Sequence, residues 1–546
     1  MSSRRINRRD FLRYVGVGSA TVLLGGFPAT HAIAHSSADA SPPDVWIELT
    51  AAPQAVALRP GPATNVWSYH ARVLEGDPSS VQAWPGGYLG PILRVARGQR
   101  LRVDFVNHID KPTIVNWHGL HVPANMMGLP RYEIQPGGRY RYEFAVTDRA
   151  GSYWYHAMAA GHTPEQVYFG LAGLLTITDA EEQALHLPSD EFDVPVVIQD
   201  RNWSDDNQFV YLPDTGPRAA RAGHVEVSER HADDDMMGGM MGGRGGMGSM
   251  MTRMMGFFGN HILVNGHPDA SLKVATHAYR LRVVNASNSR TYKLGWSDGR
   301  PVTVMATGGG LLERPLTKPY VMLTPGQHIE LWEDFSRDAV GTQRTLVSLP
   351  FHGSMGMMDR MDGGMMGRMM HHQGLADGAA FPILKVTVEH QVKAGPALPQ
   401  QLSTITRLQA ADAINHAHPR IFRVTMAHMQ WGFNGHSFEM DHTVPNEVVK
   451  LGTTEIWEFR NSHMMAHAIH LHGLQFQVLG RSNSPRSDDV TKGYVDEGWR
   501  DTVLLMPGET VRLIMRFADF TGTYAYQCHM LEHAADGLMR NYVVKA

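Results

Sequence analysis

The segment PGETVRLIMRF at residues 507–517 places a Pro-Gly pair directly before a run in which apolar and polar side chains largely alternate. Pro and Gly favour a tight turn, and this alternation is typical of a β-strand. The same phrase occurs as PGGRYRYEF at 136–144 and as PGQHIELWEDF at 325–335. Repetition on this scale predicts three copies of one β-sandwich.

A second phrase, a strand that runs into an Asn, recurs with the same spacing as Leu101–Asn107, Tyr279–Asn285 and Glu455–Asn461. Helical periodicity is weak throughout, and only a short linker helix is expected within 180–187. The sequence therefore predicts an all-β protein. We place its three domains at residues 39–180, 185–395 and 403–546.

Composition narrows the classes of function. The chain has 546 residues, of which 43% are hydrophobic, and its net charge is −4. A nearly neutral chain gives no reason to expect a nucleic-acid partner. The single cysteine, Cys528, excludes a disulfide framework and a Cys-rich zinc or iron–sulfur site. The counts of 30 His and 32 Met are abnormally high, and both side chains bind soft or borderline metals, so copper is the first candidate.

The N-terminus has the three parts of a secretory signal peptide over residues 1–34. Five arginines precede an apolar run at 15–27, and a small-residue site follows at Ala32–Ala34. The segment NRRDFL at 7–12 is typical of a twin-arginine signal, which predicts a periplasmic protein exported in the folded state. The alternative is the basic start of a cytosolic domain. We find no later stretch of 18 uninterrupted apolar residues, so no transmembrane segment is expected in the mature chain.

Two Met-rich segments interrupt the second domain. Residues 236–255 hold nine Met and residues 355–370 hold eight more, followed by His371 and His372. Frequent Gly and the lack of a period predict loops at 236–255 and 355–372. One interpretation is a thioether trap for Cu(I), and the other is plain low-complexity sequence.

Four short strings carry the metal chemistry. They are Asn116-Trp117-His118-Gly119, Trp154-Tyr155-His156-Ala157-Met158, His467-Ala468-Ile469-His470-Leu471-His472-Gly473, and Gln527-Cys528-His529 with His533. Each holds a pair at i and i+2, which share one face of a β-strand. The pairs are Asn116/His118, His156/Met158, His470/His472 and Gln527/His529.

The thiol of Cys528 lies between the members of the last pair and must point the opposite way, so one strand can serve two metal sites. Cys528, His467 and His533 supply the His₂Cys set of a blue-copper centre. A free buried cysteine is the alternative, and the nearby imidazoles favour copper.

These strings resemble those of three-domain multicopper oxidases of the bacterial laccase and cuprous-oxidase type. The resemblance covers nearly the whole mature chain and implies three cupredoxin-like Greek-key β-sandwich domains. In that family a type 1 copper takes electrons from substrate and passes them along a Cys-His link to a trinuclear cluster that reduces O₂. The resemblance assigns type 1 copper to His467, Cys528 and His533, and the catalytic electron link to Cys528 and His529. The axial position falls on Leu538, where many bacterial relatives carry Met.

The oxygen-reducing end departs from the family pattern. One type 3 copper keeps all three ligands, which are His118, His156 and His529. The other keeps His472 but meets Met158 and Gln527 in place of His. Type 2 copper keeps His470 and meets Asn116. Two acids that relatives use in oxygen reduction are replaced by Met127 and Ala534.

Amides and thioethers are poor Cu(II) ligands beside imidazole, so a full trinuclear cluster is not expected. A mononuclear His₃ copper is expected instead, joined to type 1 copper through Cys528 and His529. Zinc is the alternative occupant of a His₃ site. The leading function is a copper oxidoreductase that takes single electrons from Cu(I) or small-molecule reductants, with four-electron O₂ reduction not favoured. The alternatives are a non-catalytic copper-binding or copper-tolerance protein and a structural scaffold of the same fold.

Overall fold

A computed structural model of the chain describes residues 42–84, 86–212, 254–352, 375–393, 395–427, 429–485 and 488–546. The predicted signal peptide lies outside these ranges, as do the Met-rich segments apart from Met254 and Met255. Regular structure in the described ranges is mostly β-strand. The helices are short, namely α1 (Thr163–Tyr168), α2 (Ala180–Gln183), α3 (Asp488–Thr491) and α4 (Leu531–Ala535). No helix in this part of the chain is long and apolar enough to cross a membrane.

The first sandwich pairs a sheet of order β2-β1-β5-β7 with a sheet of order β3-β4-β9-β8-β6. Its strands are β1 (Val45–Val56), β2 (Thr64–Glu75), β3 (Val81–Gln82), β4 (Gly90–Ala96), β5 (Arg100–Asn107), β6 (Val115–His118), β7 (Arg139–Ala145), β8 (Gly151–Ala157) and β9 (Ala172–Thr178). Its core draws on both sheets, for example Val103 of β5 and Tyr155 of β8. After β9, the side chain of Asp179 accepts a hydrogen bond from the backbone N–H of Glu182 and begins α2.

The second sandwich pairs a sheet of order β12-β11-β10-β14-β19-β16-β17 with one of order β13-β21-β20-β15-β18. Its strands are β10 (Asp193–Arg201), β11 (His261–Val264), β12 (His267–Pro268), β13 (Ser271–Ala275), β14 (Ala278–Asn285), β15 (Tyr292–Trp296), β16 (Val302–Thr307), β17 (Gly310–Lys318), β18 (Val321–Leu323), β19 (His328–Asp334), β20 (Gln343–Ser348) and β21 (Phe381–His390). Residues of both sheets again share one core.

The third sandwich pairs a sheet of order β23-β22-β25-β29-β27 with one of order β24-β31-β30-β26-β28. Its strands are β22 (Arg420–Ala427), β23 (Gln430–Phe433), β24 (Val448–Lys450), β25 (Thr454–Asn461), β26 (His467–Leu471), β27 (Phe476–Ser482), β28 (Thr502–Leu505), β29 (Thr510–Arg516), β30 (Gly522–Cys528) and β31 (Met539–Lys545). Its core includes Trp457 of β25 and Tyr526 of β30.

All three sandwiches follow one plan. Each holds one parallel strand pair in its first sheet, which are β1 with β5, β10 with β14, and β22 with β25. Each holds another in its second sheet, which are β4 with β9, β13 with β21, and β24 with β31. The prediction of an all-β fold made of sandwiches is confirmed.

The two repeated sequence phrases meet in space in each sandwich. The backbone N–H of the Asn that ends the strand donates to a carbonyl beside the Pro-Gly turn, at 3.0 Å for Asn107, 2.9 Å for Asn285 and 3.0 Å for Asn461. The Asn side-chain amides donate to further loop carbonyls at the same ends. An Asn can satisfy several backbone carbonyls at once, which is why the same residue recurs at this junction. Because residues Pro43–Ala546 form a single compact unit by their contacts, the proposed limits 39–180, 185–395 and 403–546 stay predictions.

Candidate metal centres

The thiol of Cys528 lies at the end of β30 inside the core of the third sandwich. Its Sγ atom is 3.5 Å from Nδ1 of His467 on β26 and 3.7 Å from Nδ1 of His533 on α4. All three side chains are fully buried. The backbone pairing of β26 with β30 sets Ile469 opposite Cys528, which brings the start of β26 near the thiol. The structure therefore brings together the three predicted type 1 ligands.

The electrostatics of this group fit a bound cation. Burial raises the pKa of the Cys528 thiol to about 12 and lowers the pKa of His533 to about 4, so without a metal all of these donors are neutral. A metal ion supplies the positive charge that allows the thiol to ionise. The Nε2 atom of His533 donates to the carbonyl of Met254 at 3.0 Å, which leaves Nδ1 as a lone pair facing the sulfur.

The wall around the thiol is apolar and aromatic. The ring of Trp431 packs 5.0 Å from those of both His467 and His533, measured between centroids. Leu538 is fully buried in the same core as Cys528, and its carbonyl accepts a hydrogen bond from the Cys528 backbone N–H at 2.9 Å. Met539 instead packs into the core of the first sandwich. Leu538 therefore shares a core with Cys528, and its assignment to the axial position stays a prediction.

A second group of imidazoles lies between the first and third sandwiches. His118 of β6, His156 of β8 and His529 offer donor atoms within 4.8 Å of one another, and all three are buried. The Nε2 atoms of His156 and His529 face each other at 3.4 Å. His156 donates from Nδ1 to the carbonyl of Ala157 at 2.9 Å, so its Nε2 is a lone pair. Burial lowers the pKa of His156 to about 3, and a neutral imidazole of this kind suits a metal ion.

The opposite half of this pocket is held by hydrogen bonds. The amide of Asn116 donates from Nδ2 to the carbonyl of Met127 at 3.0 Å and lies 3.2 Å from Nδ1 of His472. The first bond fixes the orientation of the amide, so Nδ1 of His472 accepts and its proton sits on Nε2. Met158 is buried in the apolar core of the first sandwich, and Gln527 is buried beside the pocket. The incomplete ligand set for a second type 3 copper stays a prediction.

His470 occupies an intermediate position. Its Nδ1 donates to the carbonyl of Asp501 and contacts Oγ1 of Thr502, both at 3.0 Å. Its Nε2 is buried and has no hydrogen-bond partner among the described residues. An orphaned imidazole nitrogen of this kind is available to a metal ion, although Asn116 stands where the family supplies a second His.

Two residues of this pocket were missed by the sequence analysis. Nε2 of His328, the first residue of β19, donates to Oδ2 of Asp501 at 2.9 Å, and Nε2 of His118 lies 3.5 Å from Oδ1 of the same carboxylate. Burial alone would raise the pKa of Asp501, but His328 and His118 hold it well below its usual value. The available signal was that only one of the three Pro-Gly phrases carries a His two residues after the Gly.

His118, His470 and Asp501 form a further group of three donors within 4.8 Å of one another. The two imidazole rings stack with centroids 3.9 Å apart and an angle of 12° between their planes. Lone pairs in the planes of stacked rings run side by side and do not converge on one point. Asp501 therefore acts in this arrangement as a hydrogen-bond acceptor for the imidazoles.

Comparison with known proteins agrees with this geometry. Models of the multicopper oxidase family match residues 65–182 and 413–546, which hold all four ligand strings. The chain is 30% identical over 423 residues to cell division protein FtsP of Yersinia pestis, covering 77% of this chain and 75% of that protein. The chain belongs to the multicopper oxidase family.

Alignments with other members of the family cover most of this chain and most of the relative. A laccase of Bacillus stratosphericus is 27% identical over 528 residues, which cover 88% of this chain and 90% of that laccase. The crystal structure of the multicopper oxidase McoA from Aquifex aeolicus superposes with a TM-score of 0.72 at 27% identity, covering 92% of this chain and 97% of McoA. Membership of the multicopper oxidase family implies that this protein binds copper.

Proposed function

We propose that this multicopper oxidase family member is an exported copper oxidoreductase that takes single electrons from Cu(I) or small reductants. The observation that carries the proposal is the placement of one buried thiol between two buried imidazoles, directly before His529 of a second imidazole cluster. Two such clusters joined by adjacent residues suit electron transfer between them.

The donors at the first cluster fit copper better than other common metals. Thiolate and imidazole together select a soft or borderline ion, and the buried Leu538 side chain, which offers no donor atom, would leave a copper ion there with three strong ligands. Copper bound there supplies one-electron chemistry. The chain itself contributes an apolar wall of Leu538 and Trp431, which excludes water from the ligands, and a hydrogen bond that fixes the His533 tautomer.

The second cluster fits one metal ion held by His118, His156 and His529. Copper is the proposed occupant because the Cys528–His529 bond joins the two clusters, and zinc is the alternative. A complete trinuclear cluster does not fit, since Asn116, Met158 and Gln527 replace imidazoles. For that reason the proposal does not include four-electron reduction of O₂.

Side chains outside the first cluster support Cu(I) as a substrate. His463 is partly buried and its ring lies 5.3 Å from Trp431, whose ring also packs on two of the proposed ligands. Met464 is 52% exposed, whereas Met465 is 9% exposed and belongs to the same core as Cys528. Thioethers prefer Cu(I), which agrees with a role in copper handling.

Export to the periplasm rests on the sequence of residues 1–34, and binding of Cu(I) by the Met-rich segments rests on their composition. Both belong to the proposal. They agree with one another, because thioethers select Cu(I) and an exported protein meets Cu(I) outside the cytoplasm.

A non-catalytic copper-binding or scaffold role is the second candidate. The observation that favours it is the replacement of imidazoles by Asn116, Met158 and Gln527, together with 30% identity to a protein named for cell division. The retained Cys528, His467 and His533 favour the first candidate.

Metal content and an electron paramagnetic resonance spectrum of the oxidised protein test the proposal. We expect two tightly bound coppers apart from the Met-rich segments, one of type 1 and one of type 2, with an intense blue colour. The protein should also oxidise Cu(I), and Met464→Leu should slow that oxidation while leaving the oxidation of a small phenol unchanged. A colourless copper-loaded protein would exclude the type 1 assignment, and a blue protein with no turnover would favour the second candidate.

A further inference from the structure

The second sandwich supplies none of the proposed ligands, yet one of its turns lies against the second cluster. Residues 324–328 lead from β18 into β19. Nε2 of Gln327 donates to the carbonyl of Thr502 at 3.1 Å, and Nε2 of His328 donates to Oδ2 of Asp501 at 2.9 Å. This Pro-Gly turn therefore contacts the third sandwich through two consecutive side chains.

Gly326 in the same turn touches a proposed ligand directly. Its φ of +84° is a conformation that favours glycine, and a Cβ added there would lie 2.7 Å from Cγ of His529. The equivalent glycines of the other sandwiches, Gly137 and Gly508, have φ of +78° and +77°, and a Cβ at either would meet nothing within 4 Å. Close approach to an imidazole is thus a property of this copy of the turn alone.

The carboxylate of Asp501 sits where all three sandwiches meet. A Cβ on Gly119 of the first sandwich would collide with its Oδ2, and a Cβ on Gly308 of the second would lie 2.9 Å from the same atom. Both glycines leave the space that the carboxylate fills. With 1% of its own surface exposed, Asp501 is held there by hydrogen bonds and not by solvent.

Asp501 and Thr502 lie against the same nitrogen of His118. Nε2 of His118 lies 3.5 Å from Oδ1 of Asp501 and 3.3 Å from Oγ1 of Thr502. A proton on Nε2 satisfies both neighbours and leaves Nδ1 as a lone pair. Nδ1 is buried without a hydrogen-bond partner among the described residues, as expected of a donor kept for a metal ion.

We propose that His328 is a positioning residue of the second cluster: by donating to Oδ2 of Asp501 it turns Oδ1 towards His118 and so directs Nδ1 of His118 at the metal ion. The second sandwich thereby controls a site to which it gives no ligand. This inference rests on the proposed function, since it requires that His118, His156 and His529 bind a metal ion.

The test measures how tightly the cluster retains Cu(II) in the full mature protein, using the type 2 paramagnetic signal during titration with a chelator. His328→Leu removes the donor, and His328→Gln keeps an N–H at a similar reach. We expect His328→Leu to lower the affinity about 10- to 100-fold, the range typical for loss of an outer hydrogen-bond partner. His328→Gln should restore most of it, and the blue absorption of the Cys528 centre should not change.

A matched series of glycine variants provides a second measurement. It does not depend on whether the His328→Leu protein folds. Gly326→Ala, Gly137→Ala and Gly508→Ala impose the same backbone strain, but only the first presses on His529. Copper retention at the type 2 site should fall in Gly326→Ala alone.

The outcomes separate the inference from the function on which it rests. Equal Cu(II) affinity in the parent, His328→Leu and His328→Gln proteins would overturn the inference and leave the proposed function standing. Equal retention across the three glycine variants would also count against it. A parent protein without any type 2 signal would refute the proposed second copper site itself.

Discussion

The two candidate metal centres, called here the first and second regions, hold similar donors but differ in the hydrogen bonds that those donors make. At the first, Sγ of Cys528 lies between Nδ1 of His467 and Nδ1 of His533, and the third sandwich supplies all three side chains. At the second, the donor atoms of His118, His156 and His529 lie within 4.8 Å of one another, while His472 accepts a hydrogen bond from an amide.

The difference shows that counting imidazoles overstates the capacity of a site. Five His of the ligand strings lie in the second region, yet Nδ1 of His472 is held by the Asn116 amide and Nδ1 of His470 by the Asp501 carbonyl, so each ring offers only its Nε2. A metal ion competes with those hydrogen bonds, and it wins only where the remaining nitrogens converge. The amides and thioether that stand in place of three imidazoles thus also change the hydrogen bonds of the imidazoles that remain.

The largest expected effect comes from a substitution that abolishes copper binding of the blue type at the first region and leaves the second region unchanged. Cys528→Ser removes the thiolate, so the blue absorption should vanish, and oxidation of Cu(I) and phenols should stop. The type 2 signal of the second region should persist, because His529 keeps its place after β30. Optical and paramagnetic spectra of the copper-loaded variant measure both. Oxidation that survives the substitution would show that electrons reach the protein elsewhere.

A second experiment tests whether the replaced side chains account for the difference. The triple variant Asn116→His, Met158→His and Gln527→His restores imidazoles and frees Nδ1 of His472 from the amide. We expect the copper count to rise from two towards four, with a coupled pair that is silent in paramagnetic resonance. Metal analysis of the parent and the variant provides the comparison. Four coppers in the parent would contradict our account of these three positions.

A buried acid near the second region should make stability depend on pH. Both carboxylate oxygens of Asp148 accept from the backbone N–H of His121, at 3.1 and 3.2 Å, and burial raises the pKa of Asp148 to about 7. Between pH 4 and 7 the unfolded chain is ionised there while the folded protein is neutral. The free energy of unfolding should therefore fall by up to about 1.4 kcal/mol per pH unit as pH rises through this window.

Asp148→Asn removes the ionisable group and with it this pH dependence of stability, so the variant is the reference for the parent protein. The difference in unfolding free energy between the variant and the parent should grow from pH 4 to pH 7 and level off above it. Denaturant titrations at several pH values measure this difference. A difference that is constant with pH would mean that Asp148 is ionised in the folded protein.

The smallest expected effect concerns the axial position of the first region. Leu538→Met conserves volume in the core and should change the free energy of unfolding by less than about 1.5 kcal/mol. The thioether adds a weak fourth ligand, so the reduction potential of the blue copper should fall. A redox titration that follows the blue absorption is the measurement. An unchanged potential would indicate that the new sulfur does not reach the metal ion.

Much of the fold was predictable because it depends on local chemistry repeated three times. At each Pro-Gly turn, the strand-ending Asn forms hydrogen bonds with backbone groups that would otherwise lack partners where a strand leaves the sheet. The family resemblance followed from the four strings, since i, i+2 spacing on a strand fixes which side chains share a face. The ligand set Cys528, His467 and His533 followed from the resemblance and stays a prediction, while the tertiary structure brings the three side chains together.

His328 and Asp501 were not predictable in the same way. Neither residue belongs to one of the four ligand strings, and 173 residues separate them along the chain. Their contact depends on how the second sandwich sits against the third, and on the space left by Gly119 and Gly308. The tautomer of His472 was equally hidden, because it follows from the orientation of the Asn116 amide, which belongs to the first sandwich while His472 belongs to the third.

The amino-acid sequence by itself determined the repeated sandwich, the family and the identity of the donor side chains, because each of these depends on residue type and short spacing. Only the tertiary structure decided which nitrogens point at a common centre and which are held by neighbours. The physical reason is that an imidazole has two nitrogens, and the hydrogen bond made by one, often with a residue from another sandwich, decides what the other can bind.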